Sequence, residues 1–317
     1  MITTDINKAI QVLQHKGVVA IPTETVYGLA ANAFDDEAVQ KIFTLKNRPT
    51  FNPLIVHLAS ATQLTTVATN IPATAYALAN AFWPGPLTLV LQKQTNISSF
   101  VTASKQTIAV RVPQHGLTQQ LLQQLDFPLA APSANPFGSI SPTTAQHVYH
   151  YFEERVPIIL DGGECTAGVE STIIGFQHEQ PVLYRHGAIS MEALAAVVGD
   201  ITMLPKHTTS IEAPGMLASH YAPKTPLVLM EDVAYGLSLY THLKVGLLVF
   251  RQLPNLAHVC GEVLSKNGSL EEAAHHLYAA MHRLDAANYD VIIAERLPNY
   301  GVGITVNDRL ERASYRS

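Results

Sequence analysis

The amino-acid sequence predicts an α/β protein in two parts, on three observations. Strand-like apolar runs alternate with helical patterns along residues 1–202. Pro205, Pro214, Gly215, Pro223 and Pro226 punctuate a stretch of low periodicity at 203–226. Short apolar runs around an amphipathic helix then resume over 227–317. A chain of 317 residues, 47% of them apolar, is long enough for two cores, since domains usually hold roughly 100–200 residues. The expected division is therefore an N-terminal domain at 1–202, a linker at 203–226 and a C-terminal domain at 227–317.

The elements follow in order. Asp5–Gln14 has helical periodicity, and Gly17–Ile21 reads as a buried strand halted by Pro22. Asp35 and Asp36 cap a helix running through Leu45, which brings Lys46 and Arg48 to its C-terminal end, where cations suit the helix dipole. A strand at Leu54–Leu58 precedes helices near 61–68 and 73–82. Strands follow at Leu87–Gln92 and Thr107–Val112. In the second, Ile108, Val110 and Val112 share one face, and Thr107, Ala109 and Arg111 share the other, so that Thr107 and Arg111 can face a cavity. Leu129–Ala131, Pro157–Leu160, Ser171–Gly175 and Pro181–Tyr184 read as further strands, and 190–198 as a helix. In the C-terminal part, Leu227–Met230, Val245–Phe250 and Val291–Ala294 are strand-like. The capping box Ser269-Leu270-Glu271-Glu272 opens a helix to about Ala287. Asn307-Asp308-Arg309, after Gly301-Val302-Gly303, reads as a turn, since two glycines are too few for a dinucleotide fingerprint.

Composition removes several classes of function. A net charge of −5 is not the footprint of a dedicated nucleic-acid binder. Cys165 and Cys260 stand apart without CxxC partners, which argues against a zinc ribbon or a disulfide framework, and the 14 histidines form no HExxH spacing. Met1-Ile2-Thr3-Thr4-Asp5 has no basic n-region, and no apolar run approaches the ~18 residues of a membrane span, so a cytoplasmic protein is expected.

The chemistry concentrates in a few polar runs. Without a Walker-type phosphate loop, a nucleotide site needs several cations, neutral donors and a wall for the base. Lys46, Arg48, Arg111 and Arg185 supply charge, and Thr107, Ser133, Asn135 and Ser141 supply donors. Each signal alone has a plain structural reading. Lys46-Asn47-Arg48 fits a solvated helix end, Ser133-Ala134-Asn135 a simple turn, His57 a satisfied core histidine, and Glu24 an acid that holds backbone donors.

Their joint order is more specific. Pro22-Thr23-Glu24-Thr25-Val26-Tyr27-Gly28-Leu29, Lys46-Asn47-Arg48-Pro49, Asn52-Pro53-Leu54-Ile55-Val56-His57, and Ser133-Ala134-Asn135 with Ser141-Pro142-Thr143-Thr144 together resemble the YrdC/Sua5 family of threonylcarbamoyl-adenylate synthases, over about residues 10–200. Ala213-Pro214-Gly215-Met216 and Ser219-His220-Tyr221-Ala222-Pro223-Lys224 resemble the connecting segment of the long, two-domain Sua5-type members. The resemblance implies a YrdC-like open, twisted, mixed sheet with helices around a concave site, plus a small Rossmann-like C-terminal α/β domain. It implies a nucleotidyltransferase that makes threonylcarbamoyl-AMP and pyrophosphate from L-threonine, bicarbonate or CO2, and ATP, for the t6A modification at position 37 of tRNA. By the same resemblance, Thr25, His57, Arg111, Ala131 and Ser171 would hold L-threonine. Arg48, Asn52, Thr107, Ser133, Asn135, Ser141, Arg185 and Tyr221 would hold ATP, with Lys46 and Arg48 as the catalytic cations and Tyr221 on a lid. Magnesium would accompany ATP without protein ligands of its own. The product would pass to a tRNA-modifying threonylcarbamoyl transferase machinery, with weak direct tRNA binding also compatible. An RNA-binding module, a carbamoyl transferase of hydrogenase maturation and a nucleotide sensor are the competing readings.

Overall fold

The computed structural model describes residues 1–203, 220–255 and 260–315. Of the expected linker, Ala213-Pro214-Gly215-Met216 and Ser219 lie outside the described residues. Two sheets organise the rest. In the larger, the strands run from edge to edge as Ile2–Thr3, Ile158–Leu160, Val19–Ile21, Gly28–Asn32, Leu129–Ala130, Ile55–His57, Thr107–Arg111, Leu87–Lys93, Thr172–Gln177, Gln180–Arg185 and Thr202–Met203, with Ala68–Thr69 beside Leu87–Lys93. Parallel and antiparallel pairs mix, giving the open mixed sheet that the sequence implied.

The smaller sheet is parallel throughout, in the order Leu227–Met230, Val291–Glu295, Val245–Val249, Cys260–Val263. The helix Val233–Leu239 covers one face, where Leu247, Val249 and Ile293 pack. The helices Leu270–Ala286 and Gly303–Ser314 cover the other, which makes three layers. Cys260–Val263, an edge strand with an exposed or half-buried pattern, is a fourth strand beyond the three expected.

Helix starts were the most legible boundaries, because each requires an acceptor for free N–H groups. Asp5 accepts from the Asn7 amide at 3.0 Å, Asp35 from Ala38 at 3.0 Å and Ser190 from Ala193 at 3.3 Å. The expected capping box is only half made. Ser269 Oγ accepts from the Glu272 amide at 3.1 Å, but the Glu272 carboxylate takes the Ser265 hydroxyl, and Ser265 Oγ accepts from the Ser269 amide at 2.9 Å. The helix Asp36–Lys46 stops at Asn47, whose φ of 52° is left-handed and turns the chain at once toward the core.

Two elements depart from the sequence reading in ways that matter for the site. Gly28–Asn32 forms a buried strand although Gly-Leu-Ala-Ala-Asn has no β-branched residue, because neighbours on both sides pair with it. Asn307-Asp308-Arg309 is not a turn but lies within the helix Gly303–Ser314. Its start carries no side-chain cap, so the capping signal was absent.

The two halves share one core. Val26, Ile140 and Val169 from the larger part pack with Leu270, Ala273, Leu277 and Tyr278 from the smaller. Gly168 permits the approach: its φ is +69°, and a Cβ there would sit 2.3 Å from the carbonyl oxygen of His275. Among the described residues no helix is long and apolar enough to cross a membrane. Gly168→Ala should destabilise the protein by more than about 1 kcal/mol, seen as a lower urea midpoint; an unchanged midpoint would show that the junction tolerates a side chain here.

Candidate active site

A cavity with about 570 Å³ of empty space, counted out to its mouth, opens where the central strands end. Strand register builds it. His57 lies opposite Arg111 in the parallel pair, Ile55 accepts from the Ala131 amide at 2.9 Å, and Gly28 bridges to Ser133. Ile55 and His57 face the cavity, whereas Leu54 and Val56 face the main core, as strand alternation predicts. Of the residues expected from sequence, Thr25, Arg48, His57, Arg111, Ala131, Ser133, Ser171, Arg185 and Tyr221 line this one space. Lys46, Asn52, Thr107, Asn135 and Ser141 do not line it.

At one wall, Arg111 is held from three sides. Its Nη2 lies 2.8 Å from Glu24 Oε1, its Nη1 donates to Thr25 Oγ1 at 2.9 Å, and its Nε donates to the Gly85 carbonyl at 3.2 Å. Glu24 also accepts from the Gln114 amide at 2.9 Å, so the backbone-holding role considered for it is real and accompanies the ion pair. Thr25 Oγ1 lies 2.8 Å from Thr23 Oγ1, whose own hydroxyl donates to Val26 O at 2.7 Å. Burial, with Arg111 adding to it, pulls His57 down to about 3, so the ring is neutral at physiological pH. Its Nδ1 sits 3.2 Å from the Ile55 carbonyl, an acceptor that favours the tautomer protonated there.

Arg48 and Arg185 furnish a second cationic wall. Arg48 donates to the carbonyls of Asn52 at 3.1 Å and Pro53 at 2.8 Å, and burial pulls it down to about 9, with Tyr221 opposing and Arg185 adding. Arg185 Nη2 donates to the Ser171 carbonyl at 2.8 Å and to its hydroxyl at 3.2 Å. Ser171 Oγ in turn lies 2.7 Å from Thr88 Oγ1.

The residues outside the lining have other work in the fold. Lys46 does not project into the cavity. Its ammonium donates to the Ser133 carbonyl at 2.6 Å and to the Asn135 carbonyl, and so clasps the Ser-Ala-Asn loop from behind. Burial, and then Arg48, push it well below the ordinary lysine value. Asn135 Nδ2 donates to Pro136 O and Ser139 O, at 3.0 and 2.8 Å, while its Oδ1 is buried without a partner. Both side-chain atoms of Asn52 are likewise buried and unpartnered, a costly arrangement unless a ligand completes it. Ser141 donates to Glu170 Oε1 at 2.7 Å. Thr107 stands at the far end of the strand from Arg111, its side chain half-buried.

Among the residues that sequence reasoning did not place in the site are Glu170 and His220, which line it, and Arg309 behind them. Glu170 lines the cavity and accepts from Ser141, from Tyr278 Oη at 2.9 and 3.0 Å, and from Arg309 Nε at 2.8 Å. Burial alone would raise its carboxyl, but Arg309, Arg185 and the Ser141 hydroxyl overcome that and hold it at about 2. His220 and Tyr221 are both buried, and Ala222 bridges to Ser139, which seats this segment beside the Ser-Ala-Asn loop. A signal for Arg309 existed: it falls three residues from Val306 and four from Ala313, on the apolar face of a helix.

Comparison with known proteins then decides the family. Residues 11–187 match the Sua5/YciO/YrdC family model, described as Telomere recombination, and residues 189–314 match the Threonylcarbamoyl-AMP synthase C-terminal domain. The chain belongs to the threonylcarbamoyl-AMP synthase family. It is 41% identical to the threonylcarbamoyl-AMP synthase of Pyrococcus abyssi over 310 residues, covering 94% of this chain and 90% of that one. The Bacillus subtilis protein of the same name is 40% identical over 324 residues, covering 98% and 92%. The crystal structure of P. abyssi Sua5 complexed with L-threonine superposes with a TM-score of 0.92 at 37% identity, over 99% of this chain and 97% of that one.

The buried imidazoles predict how the protein responds to acid. Burial holds His57 and His220 at about 3, and it does the same to the stacked pair His147 and His282, at about 3 and 4. The folded values lie below the unfolded value of 6.5, so the unfolded chain binds more protons between them. This contribution to stability is whole above pH 6.5 and is lost as the pH falls toward 3. Glu170 has the same sign lower down, losing its contribution from 4.5 toward 2. The Tm should therefore be lower at about pH 5 than at about pH 7.5, and a flat Tm across that interval would contradict neutral burial of these rings.

Proposed function

We propose that the chain makes L-threonylcarbamoyl-AMP and pyrophosphate from L-threonine, bicarbonate or CO2, and ATP. The observation that carries this reading is the convergence of two cationic walls on one cavity. Arg111, with Thr25 and His57, suits a small zwitterion, and Arg48 with Arg185 suits a polyanion. Arg111 receives the threonine carboxylate, a guanidinium being matched to planar anions, while the Thr25 hydroxyl and the neutral His57 ring hold the hydroxyl and amine. Ala131 and Ser171 contribute to the same pocket. The nucleotide lies along Arg48, Ser133, Arg185 and Tyr221, with the partnerless side chain of Asn52 and Oδ1 of Asn135 as contacts from behind the lining and Thr107 and Ser141 as outlying ones.

The chemistry is one of placement. The threonine amine captures CO2 and loses a proton, and the carbamate oxygen attacks the α-phosphorus in line as the bond to pyrophosphate breaks. Arg48 and Arg185 stabilise charge developing on the phosphate oxygens. Lys46 acts by holding the Ser-Ala-Asn loop. Magnesium enters with ATP as the substrate complex. Glu24 and Glu170 are already engaged by Arg111 and Arg309, and no three His, Cys, Asp or Glu groups cluster among the described residues, so a metal cage built by the protein does not fit. The product feeds a tRNA-modifying threonylcarbamoyl transferase that installs t6A at position 37, in the cytoplasm. A net charge of −5 makes any direct tRNA contact weak.

The division into 1–202, 203–226 and 227–317 belongs to the same proposal, with the linker acting as a lid that excludes water from the labile adenylate. Tyr221, fully buried against the cavity with φ +65°, supports that role. Replacing residues 213–224 by Gly/Ser of equal length should speed loss of the adenylate; unaltered synthesis and release would refute the lid.

The decisive assay is pyrophosphate release with Mg-ATP in CO2-depleted buffer, with threonine and bicarbonate each present or omitted. Release should require both and yield a threonylcarbamoyl-AMP mass. Arg111→Ala should cost about 2–4 kcal/mol in kcat/KM for threonine. ATP binding without release in any mixture would favour a sensor instead.

A further inference from the structure

We infer that Arg309, carried by the C-terminal helix Gly303–Ser314, sets the cavity's affinity for the nucleotide by neutralising Glu170, without touching any substrate. The identity of the ligand rests on the function proposed above. Glu170 is an anion in the wall of the space that must receive a polyphosphate, alongside Arg48 and Arg185. Left unbalanced, it would repel phosphate and compete for the same guanidinium groups.

The fold supplies the counter-charge from the other sheet. Arg309 is completely buried, and its fork is fully engaged. Nε donates to Glu170 Oε2 at 2.8 Å, Nη2 donates to the His186 carbonyl at 2.7 Å, and Nη1 pairs with Asp308. Asp308 is anchored in turn by Arg312, at 2.9 to 3.1 Å. Tyr278, on the helix Leu270–Ala286, adds its hydroxyl to both carboxylate oxygens. The C-terminal part therefore contributes a cation and a donor to a carboxylate of the N-terminal part, and both groups are inaccessible to ligand.

Two contacts transmit this arrangement to the nucleotide wall. Ser171, next in the chain to Glu170, receives Arg185 through its carbonyl and hydroxyl, so the position of one governs the other. The Arg309 guanidinium also lies 4.9 Å from the centroid of the Tyr221 ring and holds that left-handed residue against the cavity. At the opposite wall, Arg111 and Thr25 have their own carboxylate, Glu24. Loss of Arg309 should therefore weaken nucleotide binding far more than threonine binding, whose pocket shares only Ser171 with this wall, whereas a mere peg between domains would affect both alike. Arg309 is a positioning residue in this scheme.

The test uses the full chain carrying Arg309→Met, Arg309→Lys and the double substitution Glu170→Gln/Arg309→Met. ATP and threonine affinities are measured separately by calorimetry, and KM values by pyrophosphate release. Arg309→Met should raise the Kd and KM for ATP at least about tenfold with threonine Kd changed less than about twofold, since loss of the counter-charge leaves the buried Glu170 carboxylate unbalanced in the nucleotide wall. Arg309→Lys, which keeps the charge, should stay within about threefold of the parent for ATP, and the double variant should recover to a similar level. Parallel loss of both affinities, no change in either, or a double variant as weak as Arg309→Met would overturn the inference. If Arg309→Met does not fold, the double variant decides: a folded protein with near-parental ATP affinity upholds the scheme, and an unfolded or equally weak one refutes it. Absence of turnover in the parent protein would sink the synthase reading instead, and the Arg309 comparison would still be read from ATP binding.

Discussion

Three cations, Arg48, Arg111 and Arg185, line one cavity with Lys46 buried behind it, and holding them there is the constraint the rest of the structure serves. Gathering like charges away from water costs several kcal/mol for each that lacks partners. The fold answers mainly with backbone carbonyls: those of Ser133 and Asn135 for Lys46, of Asn52 and Pro53 for Arg48, of Gly85 for Arg111, and of Ser171 for Arg185. Carbonyl dipoles satisfy the N–H groups without cancelling the charge. A cavity built this way keeps a positive potential directed inward.

Carboxylates are used more sparingly, and each has a defined station. Glu24 orients Arg111 from beside the cavity, whereas Glu170 faces the cavity and is compensated from behind by Arg309. The titration behaviour fits a site that works by placement. His57 and His220 are held at about 3, Glu170 at about 2 and Arg48 at about 9, so these lining groups do not exchange protons near neutrality. Acid–base catalysis favours groups poised near the working pH. The in-line displacement proposed above does not need one.

The smaller sheet is joined to this site by a shared core and by polar reach. Tyr278 and Arg309 come from the two helices on the face turned toward the larger part, and they meet Glu170 and Tyr221 there. The close pass of Gly168 over His275 lets these helices approach far enough for that contact.

Local chemistry was legible in the sequence. Asp5, Asp35, Ser190 and Ser269 marked helix starts because a free amide needs a nearby oxygen, and alternation placed Arg111 and His57 on cavity faces because a strand has a period of two. The polar runs around Thr25, Arg48 and Ser133 announced residues that meet at one cavity for similar reasons: each is a short-range pattern. What tertiary structure alone decided is long-range. Lys46 clasps the Ser-Ala-Asn loop because two carbonyls 87 and 89 residues away came to meet it. Ser141 and Arg309 found the same carboxylate across separations of 29 and 139 residues. Sequence periodicity reports which face of an element is buried, but the partner that satisfies a buried charge depends on how elements pack, and only the assembled fold brings those groups together.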